Sequence, residues 1–339
     1  MATLQLLWFI LLFVLLIGYA ILDGFDLGVG MLHLWAKNDR ERRVSLNAIG
    51  PVWDGNEVWL LTAGGALFAA FPAVYATVFS GFYLALMLLL VALIGRAVGM
   101  EFRSKVESPR WRAVWDVIFS VCSFLPALLL GVAFGNILRG IPLNATGDFT
   151  GTFLSLLNPV ALTVGLVTVA YFAMHGALYL AHKTEGPMRA RLAARVPALW
   201  AATVALYVVA AGATLYASPW LYRAALGNPL AYVLLPVALV SLYAIRPFAA
   251  AGRYDRAFAA SSLGLGSLIA LAAVGLFPTL VPALNDTTLS LTAHNASSTK
   301  PTLTAMLIIA LIGMPLVIGY TFVIYRTFKG KVVLGEDSY

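Results

Sequence analysis

Charge is what this chain has least of. Asp, Glu, Lys and Arg make up 11% of its 339 residues, against about 25% in a soluble domain. With 61% hydrophobic residues and a mean hydropathy of +0.89, that deficit excludes an ordinary soluble globule and makes the bilayer the solvent. Cysteine is nearly absent too. Cys122 stands alone, so an intrachain disulfide is excluded, and its place in an apolar run reads as a small core residue. The first apolar run has no basic segment before it and no small-residue cleavage site after it, so it reads as a first membrane span and not a cleaved signal.

Nine apolar stretches are long enough to span, at about 20 residues each. They run near 5–24 (extending towards 35), 53–71, 77–98, 114–134, 159–182, 196–217, 230–247, 257–279 and 304–326. The seventh is short and holds Pro236. Most Lys and Arg fall in Lys37–Arg43, Glu101–Arg112, His182–Arg195, Arg246–Arg256 and Arg326–Lys331, after spans one, three, five, seven and nine. Basic residues mark cytoplasmic loops, so the N-terminus is expected outside and the C-terminus in the cytoplasm. The net charge of +7 is scattered over these loops and carries no nucleic-acid signal.

The fold class expected is an all-α integral membrane protein with nine transmembrane helices. A weak echo refines it: YAILDGFDLGVGMLHLWAKNDRERR resembles FAMHGALYLAHKTEGPMRARLAAR, with Gly24 aligned on Gly176 and Asp23 opposite His175. One membrane domain, 1–339, then divides into two four-helix units, 1–135 and 159–280, with an extra peripheral helix at 304–326. The stretches 135–158 and 281–303 are polar outer loops too short to form a domain.

Acids stand where hydrocarbon makes them costly, roughly 2.5–3.5 kcal/mol per ionised group. Asp23 and Asp26 in DGFDLGVG lie near the inner end of span one, three apart and so on one helical face. Gly24 and Gly28 make a small-xxx-small pair that admits a close neighbour. The two acids fit either a tight contact whose carboxyls face water or a protonatable pair inside a bundle. Asp54 and Glu57 repeat the spacing at the head of span two, flanked by Trp53 and Trp59 with Asn56 between. Asp54 fits either a first-turn acid, favoured at a helix N-terminus, or a group that takes up protons. Arg96 falls at similar depth near the end of span three, where an Arg pairs with a carboxylate or snorkels to the headgroups.

The four histidines are His33, His175, His182 and His294. His33 and His182 border basic loops and read as interfacial; His294 is in an outer loop. A haem needs one or two axial His or Met at membrane depth, and only His175 is well inside a span. Met174 beside it points about 100° away. There is no HxxxH, CxxC or CxxCH, so no metal or haem site is expected on this chain. GFDLGVG and SLGLGSL follow no strand, which removes a nucleotide reading.

Several segments together resemble subunit II of the cytochrome bd quinol oxidases. They are DGFDLGVGML, NDRERR, PVWDGNEVWLLTAGGALFAAFPAVYA, FSGFYLALMLLL, GRAVGMEFRSK, GVAFGN with NILRGIPLN, and SLTAHNASST followed by TLTAM. The likeness covers essentially the whole chain and is densest over 20–140. It implies nine spans and a bacterial cytoplasmic-membrane complex that oxidises quinol and reduces dioxygen to water. It also implies that two b-type haems and one d-type haem are held by a partner, subunit I, which also takes the quinol. A small single-span third subunit and a structural quinone are further components the resemblance admits, besides membrane lipid. By matching position, Asp26 and Asp54 correspond to acids implicated in proton delivery along the subunit interface, with Arg96 near them. Glu57 and Asp23 join them as proton-path candidates, and Trp59 matches a residue beside an apolar oxygen route. The outer loop 218–229 is short compared with some members. The motifs fit the cyanide-insensitive branch equally.

Two readings compete. One is an oxidoreductase subunit without its own redox centre that supplies protons and an interface. The other is an ion-coupled secondary transporter in which Asp23, Asp26, Asp54 and Glu57 couple ions. A haem-bearing, coloured partner on purification separates them.

Overall fold

A computed structural model describes residues 1–335. Twelve α-helices follow one another: α1 Ala2–Leu32, α2 Asp39–Ile49, α3 Trp53–Ala70, α4 Pro72–Gly81, α5 Tyr83–Arg103, α6 Pro109–Arg139, α7 Pro159–Lys183, α8 Gly186–Ala217, α9 Pro219–Leu226, α10 Ala231–Ala250, α11 Tyr254–Leu276 and α12 Lys300–Thr327. The only sheet among the described residues is a two-stranded antiparallel ribbon, Thr279–Val281 with Leu291–Thr292.

Eight helices are long and apolar enough to cross a bilayer: α1, α5, α6, α7, α8, α10, α11 and α12. The remaining expected span, 53–71, forms α3, whose first turns carry Asp54, Asn56 and Glu57 and so dilute its apolar content. Pro236 does not interrupt α10, which runs unbroken over 20 residues. The basic segment after span one is not a plain loop. Asn38 caps α2, its side chain accepting from the Glu41 amide at 3.0 Å, and Glu41 accepts from the Lys37 amide at 2.9 Å. The first bond satisfies a donor that a helix start leaves free, and the second ties the residue before the cap back to the first turn.

α1 and α7 form the axis of the molecule. Residues 23–30 and 170–181 are buried on every side, as a helix at the centre of a bundle must be. Gly28 is what lets them touch. A methyl there would stand 1.9 Å from the Phe172 carbonyl oxygen and 2.9 Å from the Gly176 Cα. Around this pair, α3 and α6 pack on α1, while α6, α8 and α11 pack on α7. α12 lies at the edge, its apolar window unburied by the rest of the chain.

The two ends of the bundle differ. At one, the segments after α6 and α11 join: the Ile141 amide donates to the Pro282 carbonyl at 3.0 Å, and Asn285 Nδ2 donates to the Leu143 carbonyl at 2.8 Å. Gln5 at the head of α1 donates to Ser297 Oγ at 2.7 Å there. At the other end lie α2, the basic turns and the tail after α12, whose Val332 amide donates to the Lys183 carbonyl at 2.9 Å. The sorting of basic residues read from the sequence is therefore a property of one end of the folded chain.

Candidate functional site

Arg96 of α5 is fully buried and gathers two acids from two other helices. Its Nη1 donates to Asp23 Oδ1 of α1 at 2.7 Å, and its Nη2 to Glu57 Oε2 of α3 at 3.0 Å. Arg96 thus pairs with carboxylates and does not snorkel. Asp26, one turn on from Asp23, is equally buried but makes no ion pair among the described residues. It accepts from Asn56 Nδ2 at 2.7 Å. Asn56 in turn donates to the Leu22 carbonyl at 3.3 Å, and its Oδ1 accepts from the Tyr325 hydroxyl of α12 at 3.0 Å. The cluster therefore holds three carboxyls and one guanidinium, which pairs with two of them, and full ionisation leaves two negative charges uncompensated. Asp23 Oδ2, Asp26 Oδ1, Arg96 Nε and the Tyr19 hydroxyl are buried without a hydrogen-bond partner among the described residues. Each such atom carries a cost of about 1–3 kcal/mol.

The cluster brings together four of the sequence-selected residues: Asp23, Asp26, Glu57 and Arg96. Asp54 stands apart, exposed at the head of α3 and one turn from Glu57. Trp59 lies one half-turn beyond Glu57 with its ring against α1, where a methyl on Gly18 would come within 2.1 Å of it. Its indole N–H is buried without a partner among the described residues.

Sequence reasoning missed a second buried cluster. His33 is fully buried, not interfacial, and its Nε2 lies 2.6 Å from Asp116 Oδ1. Arg103 Nε donates to the same oxygen at 2.5 Å, and Arg42 Nη1 donates to Oδ2 at 2.6 Å. Arg103 also reaches Asp39 at 2.7 Å, and Arg112 reaches Asp39 at 3.4 Å. His33, in the helical turn that follows α1, stands seven residues beyond Asp26, as Arg103 does beyond Arg96 on α5. Seven residues are about two turns, so the second cluster repeats the first nearer the basic end. That spacing was the available signal. Phe119, buried edge-on against His33 at 5.1 Å and within 3.2 Å of a methyl placed on Gly99, separates the two. Further out, Glu41 pairs with Arg191. Burial works against the Glu41 carboxylate, but Arg191 and the Lys37 amide outweigh it and hold the group below its ordinary value.

His175, the imidazole furthest from the ends of its span, does not fit as an axial haem ligand, because both its ring nitrogens are engaged. His175 is sandwiched: Nδ1 is 2.9 Å from Ser261 Oγ, Nε2 is 3.1 Å from the Ile21 carbonyl, and the ring stacks on Phe258 at 4.4 Å. His33 is held by Asp116. Among the described residues no group of three His, Cys, Asp or Glu is arranged to hold a metal ion.

Fold and site define an all-helical, multi-pass membrane protein with a buried, carboxyl-rich cluster between α1, α3 and α5. The family described as cytochrome bd terminal oxidase subunit II matches residues 4–328. The chain is 39% identical to the cytochrome bd-I ubiquinol oxidase subunit 2 of Escherichia coli (strain K12), over 97% of this chain and 95% of that one. It is 35% identical to the cytochrome bd ubiquinol oxidase subunit 2 of Bacillus subtilis (strain 168), over 98% of each. Its fold matches a chain of the bd oxidase from Geobacillus thermodenitrificans with a TM-score of 0.81 at 18% identity, covering 96% of this chain and 99% of that one. The chain belongs to the cytochrome bd terminal oxidase subunit II family.

Proposed function

We propose that this chain is the subunit of a quinol:dioxygen oxidoreductase that carries protons and holds no redox centre of its own. The observation that carries the reading is the imbalance at Arg96: three carboxyls, one guanidinium, and buried oxygens left over. Acids in a bilayer protein that lack matching cations are suited to bind and release protons. Asp54, exposed one turn from Glu57, is the uptake group, and Glu57, Asp23 and Asp26 follow it inward. The basic end faces the cytoplasm, so protons come from that side, and the N-terminus lies outside.

The haems, two of b type and one of d type, belong to a partner subunit I that also takes the quinol. The engagement of both ring nitrogens of His175, by Ser261 and the Ile21 carbonyl, supports that division. Trp59 borders the apolar route by which dioxygen reaches the partner. A small third subunit and a lodged quinone belong to the same reading of the complex. Asp54→Asn in the purified complex is expected to slow quinol oxidation, followed as oxygen uptake, with haem absorption per protein unchanged. Wild-type turnover in that variant removes Asp54 from the path. A colourless preparation with no haem-bearing partner would defeat the reading as a whole.

A further inference from the structure

The function proposed above leaves Asn56 and Tyr325 without a role, yet among the described residues Asn56 is the one side chain hydrogen-bonded to Asp26, and it links that acid to Tyr325 on α12. Asn56 is 2% exposed and uses both ends of its amide: Nδ2 donates to Asp26 Oδ2 at 2.7 Å and Oδ1 accepts from the Tyr325 hydroxyl at 3.0 Å. An amide is a donor on one side and an acceptor on the other. Turned one way it suits a carboxylate; turned about Cβ–Cγ by half a rotation it presents its carbonyl and suits a protonated carboxyl. The Tyr325 hydroxyl accommodates either, since it donates to the carbonyl in the first state and accepts from the NH2 in the second. Tyr325 is half-buried on α12.

We infer that Asn56 and Tyr325 form an amide switch whose orientation follows the proton on Asp26. Resting on the proton-carrying reading, the inference adds two positioning residues to it. When a proton binds Asp26, the carboxyl O–H donates to Asn56 Oδ1. The amide NH2 leaves the carboxyl and the Leu22 carbonyl and donates to the Tyr325 oxygen, whose own O–H turns to the open side of α12. No other bond forms or breaks. The remaining ionisable groups around Asp26 are Asp23 on α1, Glu57 on α3, Arg96 on α5 and Tyr179 on α7. Arg96 is fixed by Asp23 and Glu57, and the Tyr179 hydroxyl donates to the Ala48 carbonyl at 2.9 Å. Among these neighbours, only the amide has two complementary faces to offer the carboxyl. The switch also reports the proton to α12, the helix the rest of the chain buries least.

The test uses the whole oxidase complex, purified with haem absorption as the check of assembly. Tyr325→Phe deletes one oxygen and releases the amide; Asn56→Leu keeps the shape and removes the amide. For Tyr325→Phe, the pH of half-maximal oxygen uptake is expected to move by about one unit, a tenfold change in proton concentration. Asn56→Leu is expected to lower turnover at least tenfold. With Asp26→Asn in place, adding Tyr325→Phe is expected to change nothing further. An unaltered pH profile for Tyr325→Phe, or an effect that simply adds to that of Asp26→Asn, overturns the switch. Asp26→Asn alone separates the two levels. Wild-type turnover there sinks the proton-carrying reading, whereas slowed turnover beside an unaltered Tyr325→Phe profile sinks the switch and leaves that reading standing.

Discussion

The two buried charge clusters are joined through α5 and through the run of α1 into His33, and they have opposite compositions. Nearer the basic end, Asp116 receives His33, Arg42 and Arg103, so both its oxygens are bound by cationic or imidazole donors. Two turns along α1 and α5, Arg96 alone serves Asp23 and Glu57, and Asp26 has only an amide. A carboxylate surrounded by cations has no use for a proton and works as a clamp. A carboxyl left over from an ion pair is where a proton can come and go. What sets the chemistry of the two sites apart is the ratio of acid to guanidinium.

The comparison breaks most visibly at Asp116. Asp116→Ala strips buried His33 of its hydrogen-bond partner and leaves buried Arg103 with only the exposed carboxylate of Asp39, a loss on the order of 3–5 kcal/mol. It should appear as a large drop in the thermal midpoint of the purified complex and in the yield of assembled protein. Asp26→Asn removes no ion pair and keeps the volume, so its stability cost is expected within about 1–3 kcal/mol, with its main effect on turnover. Equal losses of stability from the two variants would erase the distinction between clamp and proton carrier.

A smaller effect sharpens it. In a double-substitution cycle of Arg96→Met and Asp23→Leu, the pair is expected to couple by about 0.5–3 kcal/mol. The double variant should be more stable than Arg96→Met alone, because Arg96→Met strands two acids and Asp23→Leu removes one of them. Independent effects would show that Asp23 does not depend on Arg96.

The smallest effect lies outside the membrane. Glu41→Gln breaks the partly exposed pair with Arg191, where solvent and salt screen the charges, and should cost about 0.2–1 kcal/mol. Because the folded state holds the Glu41 carboxyl below its ordinary value, its contribution is complete above the ordinary glutamate range. It is lost as pH falls through the depressed value, and denaturation of the two proteins between those limits is the measurement. A difference that grows towards low pH contradicts this sign.

Much of this was legible in the residues. The spans followed from apolar run length, and the sorting of basic loops matched one end of the bundle. Asp23, Asp26, Glu57 and Arg96 were all chosen because charge is expensive in hydrocarbon, and the fold brings them together. What stayed hidden was pairing. Arg96 sits near Asp54 by depth, yet the helix rotations give it Glu57 and leave Asp54 exposed. His33 read as interfacial because it precedes a basic segment, but that segment folds as α2 and helps to cover it. α3 gave a weaker span signal than its neighbours since its polar first turns face the cluster. Tyr325 lies 269 residues from Asn56, and no local pattern announces a contact made only by tertiary packing.

The central claim is that Asp26 exchanges a proton during turnover while Asp116 does not. Infrared difference spectra of the complex between its reduced and oxidised states read this directly, through the C=O band of a protonated carboxyl. The band is expected in the wild type and in a conservative Asp116→Asn variant, and is expected to vanish in Asp26→Asn. A band that survives Asp26→Asn, or that disappears with Asp116→Asn instead, contradicts the account.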